Sequence, residues 1–184
     1  MKSLQSLDDI ERLYAARGGL NYGEGVTQIE HALQCAGLAE ASGAAPSLVI
    51  AALLHDIGHL FENEQDVTNA SLDAHHEAAG ARLLEAFFPE TVWRPVALHV
   101  AAKRYLCFME PQYVNGLSSA SQKSLKLQGG AFDQSQALAF ERSTHWREAV
   151  QLRRFDDMGK RDEITNRAFA HYVPLMHNLR AGVL

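Results

Sequence analysis

The chain has 184 residues, 47% hydrophobic and 21% charged, the balance of a folded globular chain and not of a disordered one. A net charge of −5 excludes a nucleic-acid binder driven by bulk positive charge, and 2 cysteines are too few for a disulfide scaffold. Cys35 and Cys107 lack CxxC spacing, read as buried core thiols and fit a reducing cytoplasm. The opening stretch, MKSLQSLDDIERLYAARGG, carries Asp8, Asp9, Glu11 and Arg12 and does not read as a signal peptide. The longest apolar run, Leu48 to Leu54, is far short of a membrane span, so the expectation is a cytoplasmic protein with no membrane partner.

Apolar spacing predicts helix almost throughout and no alternating strand. Ser6 caps a first helix that stops at Gly18-Gly19. Thr27 and Glu30 form a T-x-x-E capping box for a second, which ends at Gly43. Pro46 suits the first turn of a third, which carries LVIAALLHD and closes at Gly58. A fourth spans roughly Asp73 to Phe87, and a fifth runs from near Glu90 to about Tyr105 with Pro95 in its early turns. An irregular connection, Cys107 to Ser118, precedes shorter helices over Ser119 to Leu127, Ser135 to Arg142 and Trp146 to Phe155, broken at Gln128-Gly129-Gly130. A last helix is expected over Ala168 to Arg180, about 168-180. The fold class is all-α, a helical bundle forming one domain over 1-184.

LLHDIGH, residues 53 to 59, raises a chemical question. Its apolar flanks imply burial, and burying an imidazole and a carboxylate without partners costs several kcal/mol each. A metal ion would compensate. The chain holds 9 histidines, and His31, His55-Asp56, the pair His75-His76, His99 and the pair Asp156-Asp157 come from different predicted helices, which is how bundles build metal sites. His59 lies three residues after Asp56 and shares its face if that helix continues. His145, His171 and His177 read as surface or structural residues. Lys103 lies one turn beyond His99 and Arg153 three residues before Asp156, so cations able to hold an anion neighbour two candidate ligands.

The order H…HD…H…H…D resembles the HD-domain superfamily of metal-dependent enzymes. More narrowly, QIEHALQCA (28–36), AALLHDIGH (51–59), HEAAG (76–80), HVAAKRYL (99–106), SSASQKSL (118–125), LQGG (127–130) and RRFDDMGK (153–160) resemble the phosphonate-degrading HD oxygenases. The matches run over about 22-160, which would be the metal-site core. The resemblance implies two iron ions as a mixed-valent Fe(II)/Fe(III) pair, with O2 as co-substrate. It assigns as ligands His31, His55, Asp56, His76, His99 and Asp156, with Asp56 bridging. It selects His76 over His75 through His-Glu-x-x-Gly, and Asp156 over Asp157 through Asp-x-x-Gly-Lys. It places His59, Lys103, Ser121 and Arg153 around a phosphonate and Glu24 at a cationic head group. Tyr22, in the same loop as Glu24, is a possible gate. The metal centre itself carries the chemistry, with no separate side-chain base.

What the resemblance implies is O2-dependent cleavage of the C–P bond of a small zwitterionic 1-hydroxy-2-ammonioethylphosphonate. The favoured substrate is (R)-1-hydroxy-2-(trimethylammonio)ethylphosphonate, giving glycine betaine and phosphate; the unmethylated amine would give glycine. The preference rests on the acidic segment with Glu62, Glu64, Asp66 and Asp73, which suits a diffuse cation, and on the position of Tyr22. An HD-type phosphohydrolase is the alternative, because two metals and an anion clamp serve hydrolysis equally well.

Overall fold

The computed structural model describes residues 4–21, 25–61, 76–160 and 167–180. The first helix, α1 (Leu7–Arg17), begins in a box in which the Asp9 carboxylate accepts from the Ser6 N–H at 2.9 Å. In α2 (Gln28–Ala41) the box is reciprocal: Glu30 N–H donates to Thr27 Oγ1, and Thr27 N–H donates to the Glu30 carboxylate at 2.7 Å. Pro46 opens α3 (Pro46–Leu54), in which Leu48 through Leu54 are all buried. A helix apolar on every side must lie inside, and α3 packs against α2, against α5 (Glu90–Met109) and against α9 (Trp146–Met158).

A tight 3-10 turn (Ile57–Phe61) follows, then α4 (His76–Glu85) and the long α5 (Glu90–Met109). The connection beyond holds α6 (Tyr113–Gly116), and α7 (Ser119–Leu127), α8 (Gln134–Glu141) and α9 (Trp146–Met158) follow. A second 3-10 turn (Phe169–His171) leads into α10 (Val173–Asn178). Among the described residues there is no strand, only an isolated bridge between Asn21 and Thr27. None of the described helices is long and apolar enough to cross a membrane.

The main core gathers Ile10, Ile50, Leu53, Leu54, Leu84, Val96, Leu152, Tyr172 and Met176 from six helices and the second 3-10 turn's edge. Each such side chain contributes about 1.5–3 kcal/mol on burial, so the framework around α3 is rigid. Two smaller clusters flank it, one joining α5, α8 and α9 through Tyr105 and Phe140, the other around Cys107, Leu117 and Leu125.

Five expectations need correction. The third helix does not run to Gly58; it ends at Leu54, and His55 caps it. Its last carbonyls are taken by side chains, since the Tyr14 hydroxyl donates to Leu53 O at 3.0 Å and His55 Nδ1 to Ala52 O at 2.9 Å. Gly58 then passes α4 so closely that a Cβ would stand 2.1 Å from the His76 carbonyl oxygen. The fifth helix continues past Tyr105 to Met109, and the expected irregular connection contains α6. Trp146 begins a helix that reaches Met158. The expected C-terminal helix is divided, because Pro174 has no N–H to give and sits in the first turn of α10. Pro95 falls in the second turn of α5, as expected.

Candidate metal centre

Five elements deliver one buried cluster. His31 comes from α2, His55 and Asp56 from the end of α3, His76 from the first position of α4, His99 from mid-α5 and Asp156 from the last turns of α9. Their relative exposures are 0% for His31 and His55, 2% for His99 and Asp156, 5% for Asp56 and 6% for His76. Six ionisable side chains this deep would be prohibitively costly without shared positive charge.

The cluster has two halves. In the inner half, His31 Nε2 lies 3.2 Å from His55 Nε2 and 3.4 Å from Asp156 Oδ1. Asp56 Oδ2 lies 3.7 Å from His31 Nε2 and 3.4 Å from His55 Nε2. In the outer half, His76 Nε2 and His99 Nε2 are 3.1 Å apart, and Asp56 Oδ1 is 3.5 and 3.7 Å from them. One carboxylate therefore turns one oxygen to each half. Ligands with bonds of about 2.1 Å stand about 3.0 Å apart at cis octahedral positions and about 3.4 Å apart at tetrahedral ones, so most of these separations are close to those of groups that could share an ion.

Hydrogen bonds behind the rings decide which nitrogen faces inward. A carbonyl can only accept, so His31 Nδ1 donates to Gly159 O at 2.8 Å, His55 Nδ1 to Ala52 O and His99 Nδ1 to Val96 O at 2.7 Å. In each neutral ring Nε2 then carries a bare lone pair aimed at the cluster. The facing His31 and His55 lone pairs, 3.2 Å apart, repel unless a proton or a metal ion lies between them. Among the described residues Asp56 Oδ2 and Asp156 Oδ1 are buried without a hydrogen-bond donor, although the Lys160 ammonium stands 3.3 Å from the latter. Converging nitrogen lone pairs and underused carboxylate oxygens fit a metal pair, and among the described residues the three-residue groups able to hold an ion are His31, Cys35, His55 and Asp56, His76, His99.

Titration behaviour agrees. Burial pulls the His99 pKa down to about 4 and lowers that of His55, which favours the neutral form of both rings. Burial would raise Asp56, but His55, His59 and His76 outweigh it and hold the carboxyl well below the ordinary range. Burial likewise opposes ionised Asp156, and Arg153 and Lys160 reverse the balance. Burial disfavours charge on His31, yet Cys35 and Asp156 raise its pKa well above that of free imidazole. The inner half thus demands positive charge, from a proton or a metal ion.

A cavity of about 200 Å³ opens on the outer half, lined by His76, His99, Asp56 and Asp156 together with His59, Lys103, Ser121 and Arg153. Lys103 is 3% exposed and donates to Ser124 Oγ at 2.7 Å. His59 stacks on His76 with ring centroids 4.0 Å apart, although the helix that was expected to carry it there has already ended. Arg153 is more heavily engaged than a substrate clamp needs to be. Its NH1 donates to Asp156 Oδ2 at 2.5 Å, its NH2 to Ser121 Oγ and Asp157, and its Nε to the Tyr113 hydroxyl. Tyr22, Glu24, His75 and the acidic positions 62, 64, 66 and 73 lie outside the described residues.

Some of the cavity wall escaped sequence reasoning. Lys160, one turn beyond Asp156, donates to Ser121 Oγ at 3.1 Å and lines the cavity. The one-turn spacing that singled out Lys103 after His99 would also have found it. Gln28, Ser124 and Gln128 line the same space, and nothing in their spacing marks them. Two sequence stretches are joined structurally here: Arg104, beside Lys103, donates outward to the carbonyls of Gly130 and Gly129, which fixes the end of α7 and so Gln128. Cys35 is buried as expected, but against His31, with its Sγ 3.7 Å from Nε2. A Cβ at Gly159 would sit 2.5 Å from that sulfur, so the carbonyl that anchors His31 can reach it only from a glycine.

Comparison with known proteins agrees with this chemistry. The HD domain family model matches residues 29–126. The chain is 41% identical over 170 residues to the 1-hydroxy-2-(trimethylamino)ethylphosphonate dioxygenase (glycine-betaine-forming) of Leisingera caerulea, covering 91% of this chain and 86% of the relative. It is 50% identical over 141 residues to the hydroxymethylphosphonate dioxygenase of Gimesia maris, covering 76% and 70%. An uncharacterized protein of Acanthamoeba polyphaga mimivirus is 37% identical over 161 residues, covering 85% and 74%. The chain belongs to the HD-domain family, in the branch that holds these two dioxygenases.

Proposed function

We propose that the chain uses O2 to cleave the C–P bond of a 1-hydroxyalkylphosphonate on a pair of iron ions, with (R)-1-hydroxy-2-(trimethylammonio)ethylphosphonate as the favoured substrate and glycine betaine and phosphate as products. His31, His55 and Asp156 would hold the inner ion, His76 and His99 the outer, and Asp56 both. The observation that carries this reading is the division of the Asp56 carboxylate between two facing histidine pairs at the floor of a cation-lined cavity. Iron fits because imidazole and carboxylate ligands accept it and the chemistry requires a metal that changes oxidation state.

Bound there, a mixed-valent iron pair would supply the site for O2 and the one-electron steps that carbon–phosphorus cleavage needs. The chain's own part is positional. Lys103, Ser121, Ser124 and Lys160 form one wall, and a phosphonate against it would meet two ammonium groups and two hydroxyls. That contact would aim the substrate's C1 toward the outer ion, and His59 would close the side above His76. Glu24 would meet the cationic head group, with Tyr22 as a gate. The whole chain is read as one domain in this scheme.

A second substrate has a specific observation behind it. The hydroxymethylphosphonate relative is the more identical of the two dioxygenases, over a shorter stretch. Iron-loaded protein with reductant and O2 is therefore offered the trimethylammonio, ammonio and unsubstituted 1-hydroxyphosphonates in turn, and phosphate release is measured. The trimethylammonio compound is expected to have the highest kcat/KM. Equal release under strict anaerobiosis would exclude the oxygenase and favour a hydrolase.

A further inference from the structure

Arg153 is held by groups to which the reaction scheme gives no role. Its Nε donates to the Tyr113 hydroxyl at 3.1 Å; that hydroxyl donates to Asp157, and Asp157 accepts in turn from the same guanidinium. The three side chains close a ring of hydrogen bonds. Asp157 is the carboxylate that the family pattern passes over as a ligand, and Tyr113 lies on α6, in the connection between the helix of His99 and the helix of Ser121. The remaining face of Arg153 reaches Asp156 Oδ2 at 2.5 Å and Ser121 Oγ at 3.3 Å. Asp156 Oδ1 is thereby left pointing at His31 Nε2.

We infer that Tyr113 and Asp157 are positioning residues: they brace Arg153 so that it presents one oxygen of Asp156 to the inner metal ion. The inference rests on the two-ion reading above. Arginine is suited to the task because its planar fork keeps fixed angles between donors, so clamping Nε and one NH2 hydrogen fixes where NH1 points. Outer partners of metal ligands commonly set affinity by 10–100-fold. Among the described residues the ring reaches the cluster at Asp156, a residue of the inner half, so the brace acts chiefly on the inner ion.

The test is ferrous iron binding under anaerobic conditions, measured by competition with a chromophoric chelator, in Tyr113→Phe and Asp157→Asn. Each is made in wild type and in two single-site backgrounds, His76→Ala and His55→Ala. Both variants are expected to weaken the ion of the His76→Ala background about tenfold and that of the His55→Ala background less than twofold. Tyr105→Phe, which removes a comparable hydroxyl bond to Glu141 far from the cluster, serves as control and should change neither. Equal weakening in both backgrounds, or in the control, would mean general loosening and overturn the inference. So would unchanged affinity in both variants. A wild-type chain that binds fewer than two ions would overturn the two-ion reading and the brace with it.

Discussion

The two halves of the ligand cluster are built to different degrees of closure. The inner half is the more enclosed: His31 and His55 are fully buried, Asp156 is tied to Arg153 and Lys160, and Gly159 and Ala52 hold the rings from behind. The outer half presents His76 and His99 to the cavity, and among the described residues its third donor is the oxygen it borrows from Asp56. Closed sites hold metal, while sites with open positions do chemistry. On the proposed two-ion reading, the contrast would give the inner ion a holding role and the outer ion the contact with substrate. The arrangement follows from the helices: α2, α3 and α9 pack tightly against one another, whereas α4 enters the cluster by its first residue alone.

The largest effect belongs to the one residue the halves share. Asp56→Ala should reduce bound metal from about two ions to near zero and abolish oxygenase activity, a loss beyond the 10–100-fold of an outer partner. Because ion binding stabilises the folded state, the melting temperature measured with saturating metal should fall toward that of metal-free wild type. Elemental analysis and thermal melting check both. If Asp56→Ala keeps one ion firmly, the inner half is independent and the bridge is not its keystone.

Much of this centre was legible before any coordinates. His31, His55, Asp56, His99 and the pairs His75-His76 and Asp156-Asp157 could be nominated because a buried carboxylate beside an imidazole demands partners on separate helices, whereas the choice of His76 and Asp156 within their pairs came only from the resemblance to the phosphonate-degrading HD oxygenases. Pairing into halves could not be read, since it depends on which ring nitrogen each backbone carbonyl captures. Helix ends also misled at the centre itself: the apolar run through Leu54 continues smoothly into HDIGH, and only the approach of α4 to Gly58 and the side-chain donors at the end of α3 stop it. Spacing placed Arg153 beside Asp156, and it does line the cavity, but spacing could not report that Tyr113 and Asp157 also surround the guanidinium. The box at Thr27 and Glu30 was the reverse case, a purely local signal that the structure reproduces.

Removing a ligand from one half separates them. His76→Ala should lose the outer ion and retain the inner, leaving close to one metal per chain and activity reduced at least 100-fold. His55→Ala should lose the inner ion first. If the two variants lose metal identically, the difference in enclosure has no energetic meaning. Lys103→Ala acts on the cavity instead. Removing a charge-assisted contact worth about 1.5–3 kcal/mol should raise KM for a phosphonate roughly 10–100-fold, while metal content stays at the wild-type level. Steady-state kinetics beside elemental analysis distinguishes this outcome from a general collapse of the outer half.

The smallest effect tests how far local helix stability reaches into the inner half. Thr27→Ala removes the hydroxyl that accepts from the Glu30 N–H at the start of α2, one turn before His31. Such a cap contributes about 1 kcal/mol, a shift of roughly 2–4 °C in melting temperature for a chain of this size. Glu30 adds a pH signature. The Thr27 backbone N–H, then its hydroxyl, hold the Glu30 carboxyl below its ordinary 4.5. A depressed carboxylate stabilises the fold above its unfolded pKa and loses that contribution as pH falls through the folded value. The melting difference between wild type and Glu30→Gln should therefore be full at pH 7 and shrink below about pH 4.5. Iron affinity of the inner half should change less than twofold in either variant, because His31 is also held from α9 through Gly159. A larger loss would mean that the anchoring half depends on the fraying of a single helix end, and the contrast between a rigid inner site and an open outer one would have to be given up.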